Sequence, residues 1–183
     1  YTVLSVDERI DRVQLGVDNA FAKGTIEAFF RPPPTRQADF RQIAERVSSR
    51  EFNKQNALVI GASRGLGEVI TKVLAAGGAN VMMTFAAGRD DAARVAAEVG
   101  KNVTAPGVCF YDVLDGALSA EMAEFCCSVT HIYYLASPLI EKGDSNKWDQ
   151  SLFSRYCAFY IDGLATLLQH IQSMRLRNRK VQL

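Results

Sequence analysis

From residue 57 onward, short unbroken apolar runs alternate with stretches in which apolar residues recur every three or four positions. Ala57-Leu58-Val59-Ile60 is such a run and suits a strand covered on both faces. It leads into Gly61-Ala62-Ser63-Arg64-Gly65-Leu66-Gly67, and then an amphipathic pattern predicts a helix over roughly Gly65 to Ala76. Asn80 to Thr84 predicts a second strand and Asp90 to Val99 a helix with alanines on its packed face. Val108 to Tyr111 follows as a third strand, Leu118 to Cys127 as a helix, and Thr130 to Leu135 as a fourth strand. A long helix is expected over Leu152 to Arg175, and Lys180-Val181-Gln182-Leu183 reads as the start of a fifth strand. Strands alternating with helices of this size, joined by right-handed crossovers, imply an α/β fold with a doubly wound parallel sheet. Ligands of such sheets sit outside the carboxyl ends of the strands.

The first 54 residues have a different pattern. Thr25 to Phe30 reads as a strand stopped by Pro32-Pro33-Pro34, because consecutive prolines remove donors and favour an extended segment. A helix is expected over Gln37 to Phe52, with Phe40, Ile43, Ala44 and Val47 as its apolar stripe. The expected division is therefore a strand-helix extension over 1–54, covering the sheet or making a subunit contact, and a nucleotide-type domain over 55–183. A chain opening on Tyr1 and closing on a strand-like run reads as a fragment reaching at or near the fifth strand.

Composition narrows the function classes. A formal charge of +1 over 183 residues predicts neither nucleic-acid nor membrane-surface binding. No apolar run reaches the length of a membrane span, and no signal-peptide pattern is visible. Cys109, Cys126, Cys127 and Cys157 lie in apolar or helical stretches without metal-ligand spacing. They read as core residues of a protein in a reducing compartment, the cytoplasm, with no metal site.

The glycine turn carries the chemistry. Glycines 61, 65 and 67 stand where the chain must turn sharply, approach a pyrophosphate closely and let the helix pack on the strand. The helix then aims its free amides and positive dipole end at that phosphate. Glycines also serve ordinary strand-to-helix turns, but the second strand about a dozen residues later completes a mononucleotide-binding half.

The spacing Gly61-xxx-Gly65-x-Gly67, together with Tyr111-Asp112-Val113, resembles the short-chain dehydrogenase/reductase family, and the stretch from Ala57 to about Lys180 follows its order of elements. The resemblance implies a Rossmann-like domain that binds a nicotinamide dinucleotide through Gly61, Ser63, Arg64, Gly65, Leu66 and Gly67. Thr84 or Phe85 ends the second strand where an acid would select NAD; both are uncharged. Arg64 resembles the basic residue placed beside the 2′-phosphate, which favours NADP over NAD. Arg89 is a second candidate, with a solvated surface arginine as its alternative. Asp112 matches the carboxylate that meets the adenine amino group, with the Val113 backbone nearby, while Asp115 reads as a helix cap. Where many relatives have Asn-Asn-Ala-Gly this chain has Tyr134-Leu135-Ala136-Ser137, so Ala136 and Ser137 are expected beside the nicotinamide ribose with altered hydrogen bonding. Tyr160, in Phe159-Tyr160-Ile161-Asp162-Gly163, stands where relatives often carry a catalytic-site asparagine; a core role is equally open.

The family's reaction needs a serine, a tyrosine and a lysine four residues after the tyrosine, whose charge lowers the tyrosine pKa. No Tyr-xxx-Lys occurs here, and the resemblance places all three groups after Leu183, leaving Tyr160 as a weak candidate. Two functions are expected to compete. One is an NADP-dependent oxidoreductase moving hydride between the cofactor and a small carbonyl or alcohol; the other is a non-catalytic NAD(P)-binding sensor or scaffold. Self-association of the chain, a homo-oligomer, stays open, and the substrate is not legible.

Overall fold

The computed structural model describes residues 1–9, 12–29, 37–140 and 147–181, with side chains as far as Arg175. They divide into two compact units, Tyr1–Arg36 and Gln37–Leu183.

In the first unit β1 (Thr2–Asp7), β2 (Arg12–Asp18) and β3 (Lys23–Phe29) form a three-stranded antiparallel sheet in chain order. Strict alternation in β2 drives it. Val13 and Leu15 pair with Val6 and Val3 of β1, and with Ala28 and Ile26 of β3, so one face is apolar. The other face carries the Arg12–Glu27 ion pair at 2.7 Å and the Lys23–Asp18 pair at 3.2 Å. The β2–β3 turn is closed by the Asn19 side chain, which accepts from the Phe21 and Ala22 N–H groups at 2.9 Å. The sequence pattern predicted one strand here, Thr25 to Phe30, where the structure has three. Phe30 and the three prolines lie outside the described residues.

The second unit holds a four-stranded parallel sheet in the order β6-β5-β4-β7, built from β4 (Asn56–Ile60), β5 (Asn80–Phe85), β6 (Gly107–Phe110) and β7 (His131–Tyr134). Numbered within this unit the order is three-two-one-four, so the direction of winding reverses between β4 and β7. Sequence alternation decides the two faces. Ala57 and Val59 of β4 pack with Leu74 of α2 (Gly65–Ala76) and Val95 of α3 (Arg89–Gly100). Leu58 and Ile60 pack with Met122 of α4 (Ala120–Ser128) and with Leu167. All four β4 residues are at most 1% exposed, and each fully buried aliphatic side chain stabilises the fold by roughly 1.5–3 kcal/mol.

The helix expected over Gln37 to Phe52 is a single short helix, α1 (Phe40–Ala44), started by an Asp39–Gln42 capping box. Tertiary packing overrides the periodicity: the Phe52 N–H bonds the Gly77 carbonyl at 2.7 Å, and a Cβ on Gly77 would sit 2.3 Å from the Phe52 ring. The chain must leave the helix to seat that ring. Phe40 and Ile43 are buried as expected, but Ala44 is exposed. Residues 37–54 thus belong with the parallel sheet rather than with the first unit.

The long helix expected over Leu152 to Arg175 is α5 (Gln150–Cys157), a π-helical turn at Ala158–Asp162, and α6 (Gly163–Val181). The strand expected to begin at Lys180 is not formed: Lys180 and Val181 continue α6, and Gln182 and Leu183 lie outside the described residues. Long side chains and Arg-rich composition over 173–180 suit a helix as well as a strand edge. No described helix is long and apolar enough to cross a membrane.

Candidate dinucleotide site

At the carboxyl end of β4 the backbone enters the left-handed region twice, at Gly61 (φ 79°) and Gly65 (φ 57°). The three glycines of the turn have separate roles. A Cβ on Gly61 would lie 3.0 Å from the Ala136 amide nitrogen, so its absence lets the turn abut the end of β7. On Gly67 it would lie 2.2 Å from the Gly61 carbonyl oxygen, so its absence lets α2 pack on its own turn. On Gly65 it would meet nothing within 4 Å. That position opens in front of the α2 N-terminus, where Arg64 is the N-cap and gives the first-turn amides no side-chain bond. The open approach, the uncapped amides and the dipole end suit an anion, and so fit a dinucleotide pyrophosphate. Leu66, 64% exposed, flanks the same opening.

Thr84 corrects the expectation. It is fully buried; its hydroxyl accepts from the Gly61 N–H at 3.3 Å and its carbonyl from the Ala62 N–H at 2.9 Å. Thr84 therefore holds the turn and presents no side chain to a ligand, which sequence position alone did not reveal. The exposed end of β5 is instead the loop through Ala86 and Ala87 to Gly88.

Arg64 crosses to that loop. A Cβ on Gly88 would lie 2.9 Å from Arg64 Nη2 and 2.7 Å from Ser63 Oγ, so Gly88 is what lets the two strand-end loops touch. The guanidinium therefore sits at the end of β5, the position from which it could grip a 2′-phosphate. Asp91 lies 3.7 Å from it, an acid that the sequence reading did not pair with it; with side chains 67% and 44% exposed, this is a weak, solvent-screened pair. Arg89 is exposed at the first residue of α3.

Asp112 follows β6, and one of its carboxylate oxygens accepts from the Leu114 N–H at 2.9 Å. Its other oxygen makes no hydrogen bond among the described residues. The cap of α4 is Ser119, which accepts from the Met122 N–H at 3.2 Å, and not Asp115 as expected. The Val113 side chain is buried in the core, so only its backbone can meet a ligand. Beside it Tyr111 is fully packed, and burial pushes its phenol up to about 12.

At the end of β7 the structure brings Ser137 and Tyr160 together, with their hydroxyls 2.8 Å apart. Tyr160 is 44% exposed, so the core alternative is excluded. Tyr134 is a pin: its hydroxyl donates to the Phe159 carbonyl at 2.6 Å. Cys109 and Cys126 are buried as expected, whereas Cys127 and Cys157 are only half-buried. Burial pushes the Cys109 thiol up to about 12 and Cys126 up to about 11, leaving both uncharged.

On the α1 side of the sheet lies a charged cluster that the sequence reading missed, although Glu68 and Lys72 stand one helical turn apart. Lys72, 1% exposed, donates to Glu68 at 2.8 Å and to the Ala38 carbonyl at 3.0 Å, and meets Glu98 at 3.0 Å. Arg94 forks onto Glu68 at 3.1 and 3.2 Å, and the Phe40 N–H bonds Glu98 at 2.7 Å. Burial raises the Glu68 pKa, but the hydrogen bonds from Arg94 and Lys72 outweigh it and hold the carboxyl below its ordinary value. This cluster clasps residues 38–40 to α2 and α3.

No family model and no curated protein sequence matches the chain. Solved structures do match. A double mutant of the Serratia marcescens short-chain dehydrogenase/reductase superposes with a TM-score of 0.59 at 24% identity, over 68% of this chain and 52% of that one. The chain has the fold of the short-chain dehydrogenases/reductases. A Burkholderia cenocepacia short-chain dehydrogenase in complex with NADP matches with a TM-score of 0.55 at 19% identity, over 67% of this chain and 51% of that one. The FolM alternative dihydrofolate reductase 1 of Brucella canis, also complexed with NADP, matches with a TM-score of 0.58 at 19% identity, over 68% and 52%. The chain thus spans about half the length of these short-chain dehydrogenase/reductase structures.

Proposed function

We propose that residues 37–183 bind NADP(H) as the cofactor half of an oxidoreductase that moves hydride between the nicotinamide and a small carbonyl or alcohol. The observation that carries this reading is the place of the glycine turn. The sheet order puts it at the reversal between β4 and β7, with Gly61 against Ala136 and Gly65 open in front of α2. Gly65 to Gly67 would hold the pyrophosphate, Arg64 the 2′-phosphate, the second oxygen of Asp112 the adenine amino group, and Ala136 and Ser137 the nicotinamide ribose. The cofactor supplies the hydride. The proton that completes carbonyl reduction requires a tuned acid, and no tyrosine among residues 1–183 has a lysine four positions later. The chain's own contribution is then binding and orientation.

The second reading is a non-catalytic NAD(P)-binding sensor or scaffold. The end of β7 and the π-helical turn favour it, because Tyr134 and Tyr160 there make internal hydrogen bonds. Calorimetric titration tests the dinucleotide binding that both readings require. NADPH should bind about tenfold to a hundredfold more tightly than NADH, the worth of one charge-assisted contact, and Arg64→Ala should erase the difference. Equal dissociation constants in the unmutated chain would reject the NADP assignment. Hydride transfer to a carbonyl by the longest encoded chain would then decide between enzyme and sensor.

A further inference from the structure

β3 is an edge strand of the antiparallel sheet, and no described strand pairs with its outer side. A free edge presents a row of N–H and C=O groups to any strand that can align with it. The two edges of this sheet differ. On β1 the register slips between Val3 and Ser5, an irregularity of the kind that blunts an edge. β3 pairs with β2 in unbroken register from Lys23 to Phe29 and contains no proline, so its outer side stays regular. Ile26 and Phe29 lie exposed along it.

Charge decides which strand fits. Edges are commonly guarded by charged side chains, and β3 has two, Lys23 and Glu27, with side chains 82% and 50% exposed. They are opposite in sign and lie on the same face of the strand. Two copies of β3 aligned antiparallel about Thr25 place each Lys23 opposite the partner's Glu27, so the groups that repel other strands attract this one. Each Lys23 then stands between its own Asp18, 3.2 Å away, and the partner's Glu27, whose own chain holds it to Arg12 at 2.7 Å. The neighbouring alignments fail. Pairing about Lys23 or Glu27 opposes like charges, and pairing about Gly24 or Ile26 leaves both charges unmatched. An alignment midway between two residues would join the apolar face of one sheet to the polar face of the other. The Thr25 alignment also sets Ile26 opposite the partner's Gly24, a position with no atom within 4 Å of an added Cβ. It carries Phe21, 99% exposed in the β2–β3 turn, to the end of the partner's strand at Phe29.

We propose that the outer edge of β3 is a self-association site, where two copies of the chain join their antiparallel sheets into one continuous sheet about a two-fold axis at Thr25. The contact lies within the first unit and does not depend on the dinucleotide reading.

The test is sedimentation velocity of the full 183-residue chain over a concentration series. The unmutated chain should dimerise reversibly. Lys23→Glu alone and Glu27→Lys alone each set two like-charge pairs across the axis and should raise the dimer dissociation constant by about tenfold. An equimolar mixture of the two variants restores opposite charges at both positions. It should recover the unmutated constant as a heterodimer, which also shows that both variants fold. An unmutated chain that stays monomeric at every concentration would overturn the proposal. So would a dimer whose constant neither variant changes, or a mixture that associates no more tightly than the separate variants.

Discussion

Gly65 and Gly67 are two residues apart in one turn, yet a methyl group should affect them in opposite ways. In Gly67→Ala the new Cβ would fall 2.2 Å from the Gly61 carbonyl oxygen and 2.8 Å from the Ala62 Cα. Ordinary carbon-to-oxygen contacts are about 3.3–3.6 Å, so α2 or the turn would have to move by about 1 Å. Neither yields easily, because the obstacles are backbone atoms and Thr84 holds both the Gly61 and Ala62 amides. The expected cost is at the upper end of overpacking, about 3 kcal/mol, which is a large fraction of the stability of a domain this size. Gly65→Ala meets no atom within 4 Å, so only its left-handed backbone (φ 57°) opposes it, at about 1–2 kcal/mol. Its methyl projects instead into the space assigned to the pyrophosphate. Urea unfolding followed by circular dichroism, with NADP⁺ calorimetry on the folded proteins, reads both effects. Gly65→Ala should fold and lose most NADP⁺ affinity, whereas Gly67→Ala should lose stability first. A Gly67→Ala protein within about 0.5 kcal/mol of the parent would refute the packing argument, and a folded Gly65→Ala protein with parental affinity would make the turn merely structural.

Other consequences can be measured separately. Asp91→Asn removes the acid 3.7 Å from Arg64 and should tighten NADPH by about twofold to fivefold without changing NADH, given the exposure of the pair; an equal effect on both cofactors would argue against the 2′-phosphate contact. Lys72→Met leaves Glu68 buried without its nearest cation and should cost about 3–5 kcal/mol in denaturant unfolding, and a neutral result would mean the cluster contributes nothing. Because the Glu68 pKa is depressed in the folded chain, its contribution is fully present above its unfolded value near 4.5 and is lost as pH falls through the folded value. Glu68→Gln should therefore flatten the acid side of the stability profile, and an unchanged acid limb would count against the clasp. Residues 1–183 alone should oxidise NADPH with ketones or ketoacyl thioesters about a hundredfold to ten-thousandfold more slowly than a complete enzyme, for want of a tuned acid. Turnover abolished by Tyr160→Phe would instead make Tyr160 that acid.

The parallel sheet was legible because each of its strands is a short apolar run and the helices between them keep a regular period; α2 runs over Gly65–Ala76 as the pattern predicted. The glycine turn was legible because backbone conformation and close approach restrict those positions to one residue type. Residues acting through tertiary contacts were not. Thr84 looked like a ligand contact at a strand end, and only the fold shows that its hydroxyl is spent on Gly61. The antiparallel sheet of β1, β2 and β3 escaped notice although Val13, Leu15 and Val17 recur at every second position, because β1 and β3 are almost wholly exposed and none of the three is an unbroken apolar run. The Ser137–Tyr160 pair depends on the π-helical turn at Ala158–Asp162, an irregularity inside a stretch that the sequence pattern read as one continuous helix.

The central claim is that a dinucleotide lies across the carboxyl ends of β4 and β7, with its 2′-phosphate toward β5. Amide chemical-shift mapping of the isotopically labelled chain during NADP⁺ titration tests this most directly, because it reports which backbone groups meet the ligand. The account predicts saturable shifts concentrated at Gly61 to Gly67, Ala86 to Gly88, Asp112 to Val113 and Ala136 to Ser137, with the α6 residues Leu168 to Gln172 unmoved. Shifts centred on α6, or none at millimolar NADP⁺, would contradict it.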